Sequence, residues 1–281
     1  MKYIVSICMV LIFIAGIIIA GGDWGDQSPI EPEYKGRPVV QVPLLEKGPK
    51  LDGKFDDEFW KKAGKLSQFK TIAGSWRKVV LPRTDGYIAT TKDTLYMGFR
   101  CHEADMKGLD GPERKRDSGQ VWDDDNLEIF IRSEDNPDRP YHQFSINASG
   151  SIDDAYKRKA VWDAKGIKTA AGEEKGAWIM EIAFPFSDLH LPKDRSKASV
   201  WRIDIFRMRV MHKGDKGSGG VEKVDVHGNL YYEETVWAPV ETGNSQFPAR
   251  YGYAFMEVFG GRVPKEVMKD FEKRKALRSN Q

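Results

Sequence analysis

Two cysteines and five histidines in 281 residues exclude several kinds of chemistry at once. Cys8 lies inside the first apolar run, so removal of that run leaves Cys101 alone. No internal disulfide is then available, and cysteine-based zinc motifs are ruled out. The histidines (His102, His142, His190, His212 and His227) are scattered, and none has the His-Glu-x-x-His spacing of a metalloprotease. No Gly-x-Ser-x-Gly elbow, phosphate loop or dinucleotide fingerprint occurs. Charge of one sign is also lacking: 44 basic residues face 42 acidic ones, for a net charge of +2. That balance gives no support to a nucleic-acid partner. Internal repeats and low-complexity tracts are absent.

The chain has one long apolar run, Tyr3 to Ala20, which follows Met1-Lys2 and precedes Gly21-Gly22. A short basic start, an apolar centre and a small residue at Ala20 read as an export signal over 1–22. The expected location is secreted or periplasmic. An uncleaved anchor is the alternative, because the run approaches the roughly 20 residues that span a bilayer. No membrane association is expected otherwise. Residues 23–37 carry Gly, Pro and acids without periodicity and read as a linker.

Beyond the linker, short alternating segments dominate. In Leu127-Glu128-Ile129-Phe130-Ile131-Arg132 the aliphatic residues fall on one face and Glu128, Phe130 and Arg132 on the other. Leu95 to Cys101 alternates likewise, as a hairpin partner of Thr84 to Thr91. Further strands are expected at Val39–Val42, Leu66–Ala73, Tyr141–Asn147, Ile152–Ala160, Val161–Ala170, Trp178–Phe184, Trp201–Arg209 and Tyr251–Phe259. Asp56 is placed to cap a short helix anchored by Phe59 and Trp60, Pro185–Leu189 suggests one helical turn, and 212–228 reads as a loop. About ten short strands with little room for crossover helices predict an all-β fold. The expected architecture is an antiparallel β-sandwich, immunoglobulin- or jelly-roll-like, over 38–260, followed by a basic helical tail over 261–281.

The stretch around which this arrangement turns is Val121-Trp122-Asp123-Asp124-Asp125. Three consecutive carboxylates suit a rim loop, since burying unpaired charge is costly. The loop would aim an indole and several oxygens at a ligand; a solvated acidic turn is the plainer reading. Sugar recognition needs flat apolar surface beside planar polar groups. Trp122 beside Glu128, with Gln143 and Asn147 on the next strand, supplies both, although Gln143 and Asn147 read equally well as solvent-face residues. Trp60 and Trp237 read as core. Asn147-Ala148-Ser149 matches a glycosylation acceptor, a triplet common by chance.

The ordered set of Leu51-Asp52-Gly53 with Asp56 and Trp60, Trp122-x-x-Asp125-x-x-Glu128, Gln143-Phe144-x-x-Asn147, Gly176-x-Trp178-x-x-Glu181 and Trp237-x-Pro239 to Tyr251-Gly252 resembles the family 9 carbohydrate-binding modules of secreted bacterial xylanases. The likeness covers nearly the whole expected sandwich. It implies a non-catalytic module that clamps a terminal sugar of a polysaccharide between two aromatic rings and contributes to polysaccharide catabolism, with calcium stabilising loops. By that resemblance Trp122 is the first clamp and Glu128 the nearby carboxylate. Glu103 or Asp105 would be an acidic ligand contact, and Gln143 and Asn147 polar contacts. Departures from the pattern are Ser145, where a basic residue is expected, and Phe247, the nearest aromatic to the second clamp position. Asp123, Asp124, Asp125, Asp153 and Asp154 are candidate calcium ligands, although no EF-hand spacing occurs. Two other readings stay open: a glycoside hydrolase using Glu128 with Asp124, and a haem-binding sandwich recruiting Met97, His102 and Met208.

Overall fold

The computed structural model describes residues 31–71, 82–136, 138, 140–157, 159, 162–212, 231–240 and 245–279. The expected signal and residues 213–228 of the expected loop lie outside the described residues. Among the described residues there are fourteen strands and two α-helices. In chain order they are β1 (Glu33–Tyr34), β2 (Arg37–Val42), α1 (Glu58–Lys62), β3 (Gly64–Leu66), β4 (Lys70–Thr71), β5 (Thr84–Thr90) and β6 (Thr94–His102). There follow β7 (Asn126–Arg132), β8 (His142–Asn147), β9 (Ile152–Tyr156), β10 (Lys168–Glu174) and β11 (Ala177–Pro185). The chain closes with β12 (Val200–Met211), β13 (Tyr231–Val236), β14 (Gly252–Met256) and α2 (Lys265–Ser279).

The strands form two sheets, as the alternation predicts. The larger runs β1-β2-β14-β12-β7-β8-β9, and β13 joins the far half of β12 and carries β4. The smaller runs β10-β11-β6-β5-β3. All pairings are antiparallel except β2 with β14, which makes the larger sheet mixed. Leu127, Ile129, Ile131, Phe144, Ile203 and Ile205 share one core cluster with Leu95, Met97, Phe99, Trp178, Met180 and Ile182. Each set comes from alternate positions of its strands, so a period of two is enough to build the interior. Cys101 belongs to this core, and burial pushes its thiol up to about 12, so it behaves as a small hydrophobe.

Several expectations are corrected at the edges. Within the expected linker, residues 33–34 form a strand and Arg37 begins the strand expected at Val39–Val42, with its guanidinium reaching the carbonyls of Pro239 and Arg250. Asp57, not Asp56, precedes α1, and its side chain makes no cap bond; it accepts the Lys50 N–H at 2.9 Å instead. Of the helical turn expected over Pro185–Leu189, Pro185 ends β11 and residues 186–188 form a single turn in which the Asp188 N–H donates to the Pro185 carbonyl at 3.0 Å. The strand expected over 161–170 occupies 168–174, and the closing strand stops at Met256, where a 3-10 turn over Glu257–Phe259 begins. Among the described residues no helix is long and apolar enough to cross a membrane. The tail helix α2 follows Val263, and Val263 and Val267 pack beside Val39, Tyr253 and Phe255.

Two motifs that are far apart in the chain meet on the outer face of the smaller sheet. The Glu181 carboxylate accepts the N–H groups of Asp52 and Gly53 at 2.9 and 2.8 Å and the Trp60 indole N–H at 2.8 Å. Gly53 has a left-handed φ of 74°, and a side chain there would strike the Ala171 carbonyl. The Leu51-to-Trp60 segment is thus a cover for the sheet. Trp60 is core, as its sequence context suggests.

Candidate functional site

The other face of the larger sheet carries the site. Strand register places side chains in rows across its floor. Glu234 pairs with Met208. Phe206 pairs with Glu128, Glu128 with Ser145, and Ser145 with Asp153. Phe130 pairs with Gln143. The even positions of β7 and β12 therefore line one surface while their odd positions build the core. Above this floor lies a cavity of about 510 Å³, lined by Trp122, Glu128, Gln143, Phe206, Met208 and Glu234 among others. An aromatic cluster of Phe130, Tyr141, Phe206 and Tyr251 adjoins it. The Tyr251 hydroxyl donates to the Ser245 carbonyl at 2.8 Å, which holds the segment bearing Gln246 at the cavity wall.

Trp122 sits on a 3-10 turn, Val121–Asp123, and is 54% exposed. Its indole N–H donates to the Gly119 carbonyl at 2.9 Å, and its own carbonyl accepts from the Asn126 amide at 3.0 Å. The ring is open to solvent, tethered at its N–H, and carried on a backbone that the Asn126 amide fixes, a geometry suited to stacking.

The acidic run behaves differently from the rim loop expected of it. Only Asp123 is partly open; Asp124 and Asp125 are buried. Asp124 takes a two-pronged contact from Arg114, Nε at 2.7 Å and Nη2 at 2.6 Å, plus the Asn147 amide at 2.8 Å. Asp125 accepts the N–H groups of Asp110 and Val210 at 2.8 and 3.2 Å, and burial raises its carboxyl to about 6. These carboxylates are engaged in holding the Trp122 loop, so the run Asp123-Asp124-Asp125 does not fit a calcium site. The acidic oxygens that do converge belong to Asp117, Asp154 and Asp163, all within 4.8 Å of one another. Carboxylate oxygens suit a hard cation. However, Arg116 already pairs with Asp154, and Asp117 accepts the Asp154 N–H at 3.1 Å.

Glu128 and Gln143 meet as the sequence suggests: the Gln143 amide donates to Glu128 Oε1 at 2.6 Å. Burial raises the Glu128 carboxyl to about 7, and the neighbouring Glu234 charge pushes the same way. Burial also raises Glu234. Two further candidates do not line the cavity. Glu103 is 5% exposed and bonds Arg209 through both carboxylate oxygens, at 2.6 and 2.7 Å, on the interior side of β12. Asn147 is fully buried; its amide donates to the Pro112 carbonyl and Asp124, and its oxygen accepts from the Ser149 and Ser151 N–H groups. That burial also closes Asn147 to glycosylation in the folded chain. Phe247 is 40% exposed and follows Gln246 at the cavity wall, but is not itself among the lining residues. Trp237 is core.

The alternative constellations do not assemble. Asp124, the suggested partner of Glu128 in hydrolysis, is occupied by Arg114. Met97 points into the core, His102 bonds Asp85 at 2.9 Å, and Met208 lies on the opposite face of the larger sheet, so the three are not brought together for haem. Phe206, Met208, Glu234 and Gln246 also line the cavity, a role that sequence reasoning missed for all four, Met208 having been offered only for haem. Alternation marks the first two as facing away from Ile203 and Ile205, but only the register reveals their neighbours.

A β-sandwich with an exposed, fixed indole beside a cavity, and with a carboxylate–amide pair on its floor, is the architecture of a ligand-binding module. The chain belongs to the carbohydrate family 9 binding domain-like family, whose sequence model matches residues 51–241. The fold is similar to a family 9 carbohydrate-binding module from Caldicellulosiruptor kristjanssonii, solved in complex with cellotriose, at 14% identity and a TM-score of 0.50 over 80% of this chain and 95% of that one. It is also similar to a protein from Bacteroides uniformis described as a candidate carbohydrate-binding protein, at 14% identity and a TM-score of 0.54 over 78% of this chain and 99% of that one. No curated protein sequence matches the chain.

Proposed function

We propose that this chain is a non-catalytic module that binds the sugar rings of a polysaccharide in the cavity beside Trp122. The ring's C–H face stacks on the indole, and Glu128 and Gln143 bond its hydroxyls. The observation that carries the reading is Trp122, 54% exposed, with its indole N–H bonded to the Gly119 carbonyl and its backbone carbonyl to the Asn126 amide, at the edge of the cavity that contains the Glu128–Gln143 pair. Exposing a large aromatic surface to water is unfavourable unless a partner covers it. Family membership supports the same reading. In an exported protein such a module would hold a polysaccharide near the enzymes that degrade it. Any dependence on calcium is expected to trace to Asp117, Asp154 and Asp163.

Calorimetry of the protein against a panel of neutral oligosaccharides, with calcium and with chelator, tests the proposal. Binding to one glycan class that is lost in Trp122→Ala, with the melting curve retained, is the expected result. A Trp122→Ala protein that binds as the parent does would remove the indole from the site. Sugar release from the panel would overturn the non-catalytic reading.

A further inference from the structure

The charge inside the cavity is one-sided. Asp117, Glu128, Asp153, Asp154 and Glu234 line it, and no lysine, arginine or histidine does so among the described residues. Local partners account for most of these carboxylates. Asp154 has Arg116, Asp153 takes the Val121 N–H at 3.1 Å, Asp117 takes the Asp154 N–H, and Glu128 takes the Gln143 amide. No hydrogen bond or ion pair reaches Glu234 among the described residues. The alternation of β13 explains why. Glu233 turns inward to Arg209, 3.7 Å away, while Glu234 turns into the cavity beside Met208. The cations of β12 nearest the cavity follow the same parity: Arg207 and Arg209 lie on the interior side with Glu103, while Arg202, on the cavity-face parity, is taken up at the far end of the strand by the Tyr251 carbonyl and Asp135. Around the cavity the sheet thus keeps Arg207 and Arg209 on its interior side and leaves Glu234 and Glu128 in the cavity, walled by Phe206, Met208 and Trp122.

We propose that this pocket selects sugars that carry a protonated amine, of the glucosamine type, and turns away uronates. The proposal rests on the carbohydrate-binding reading above. A neutral sugar offers hydroxyl protons to the two glutamates but leaves their charge unbalanced in a half-buried site. An ammonium group supplies three donors and the missing charge together. A uronate would bring a further carboxylate toward Glu128 and Glu234, which like-charge repulsion opposes. Burial raises the carboxyls of Glu128 and Glu234, and an incoming ammonium would oppose that shift by favouring their ionised forms.

The test is calorimetry of the full chain at near-neutral pH with four trisaccharides: the β-1,4-linked glucosamine trimer, its fully N-acetylated counterpart, cellotriose and trigalacturonate. The glucosamine trimer is expected to bind at least about tenfold tighter than cellotriose. The advantage should shrink as salt is added, and the ratio of the two affinities should fall toward one in Glu234→Gln. Trigalacturonate is expected to bind weakest. Equal binding of the glucosamine trimer, its N-acetylated form and cellotriose would overturn the inference and leave the carbohydrate reading standing. So would tightest binding by trigalacturonate. Failure of all four to bind would remove both.

Discussion

Replacing Glu128 by glutamine keeps the shape of the side chain and removes its charge. The Gln143 amide, 2.6 Å from Glu128 Oε1, finds the same kind of acceptor in the new amide oxygen. What changes is the titration. Burial holds the Glu128 carboxyl at about 7 against an ordinary value of 4.5, so the folded protein keeps a proton that the unfolded chain gives up between those values. The sign follows from linkage: the unfolded state binds fewer protons in that interval, so stability falls as pH rises. The contribution is complete below the unfolded value of 4.5 and is lost as pH climbs through the folded value of about 7. Across the whole interval it amounts to about 3 kcal/mol, an upper figure because Glu128 keeps some contact with solvent. Glutamine has no such dependence. In urea unfolding, Glu128→Gln should therefore gain on the parent by about 2 kcal/mol between roughly pH 5 and pH 8. Glu31 and Asp154 also carry raised carboxyls, but they titrate in both proteins and cancel in the difference. A stability difference that is the same at both pH values would refute the argument, because Glu128 would then titrate as an ordinary surface acid.

Other substitutions probe the frame around the site. Glu103→Ala removes the two-pronged partner of Arg209 and leaves buried guanidinium groups behind, so a loss of about 3–5 kcal/mol in denaturant stability is expected. A loss under about 1 kcal/mol would show the pair to be dispensable. Asn147→Ala strips Asp124 and the turn at Ser149 and Ser151 of their bonds; it should cost about 1–3 kcal/mol and weaken glycan binding through the Trp122 loop, both measurable by melting and calorimetry. Gly98→Ala would drive a methyl group into the Phe55 and Trp60 rings and should lower stability by about 1–3 kcal/mol; an unchanged denaturation midpoint would contradict the packing of the cover segment. Trp122→Ala, by contrast, should move the midpoint by less than about 0.5 kcal/mol, since the indole is mostly in water.

The sequence by itself determined the strands and their faces. Alternation in Leu127–Arg132, Leu95–Cys101, Trp178–Phe184 and Trp201–Arg209 depends only on side chains pointing to opposite sides of a pleated chain, a local property. The same locality made Trp122, Glu128 and Gln143 legible, because the indole stands in the turn before β7 and the two polar groups lie on adjacent paired strands. Glu103 and Asn147 were not legible in the same way. An acid after a hairpin and an amide on a strand look alike in sequence whether they face ligand or interior, and the groups that claim them come from distant parts of the chain. Arg209 is 106 positions from Glu103, and Asp124 is 23 from Asn147. The acidic run at Asp123–Asp125 is a case of the same kind: charge is costly to bury only if unpaired, and Arg114 pairs Asp124 while the Asp110 and Val210 N–H groups bind Asp125. Glu234 is the converse case, an ordinary residue in sequence that register alone places beside Met208 in the cavity. Tertiary structure decided which charges were neutralised and which were left facing the cavity, because that depends on where separate strands set their arginines and carboxylates in space.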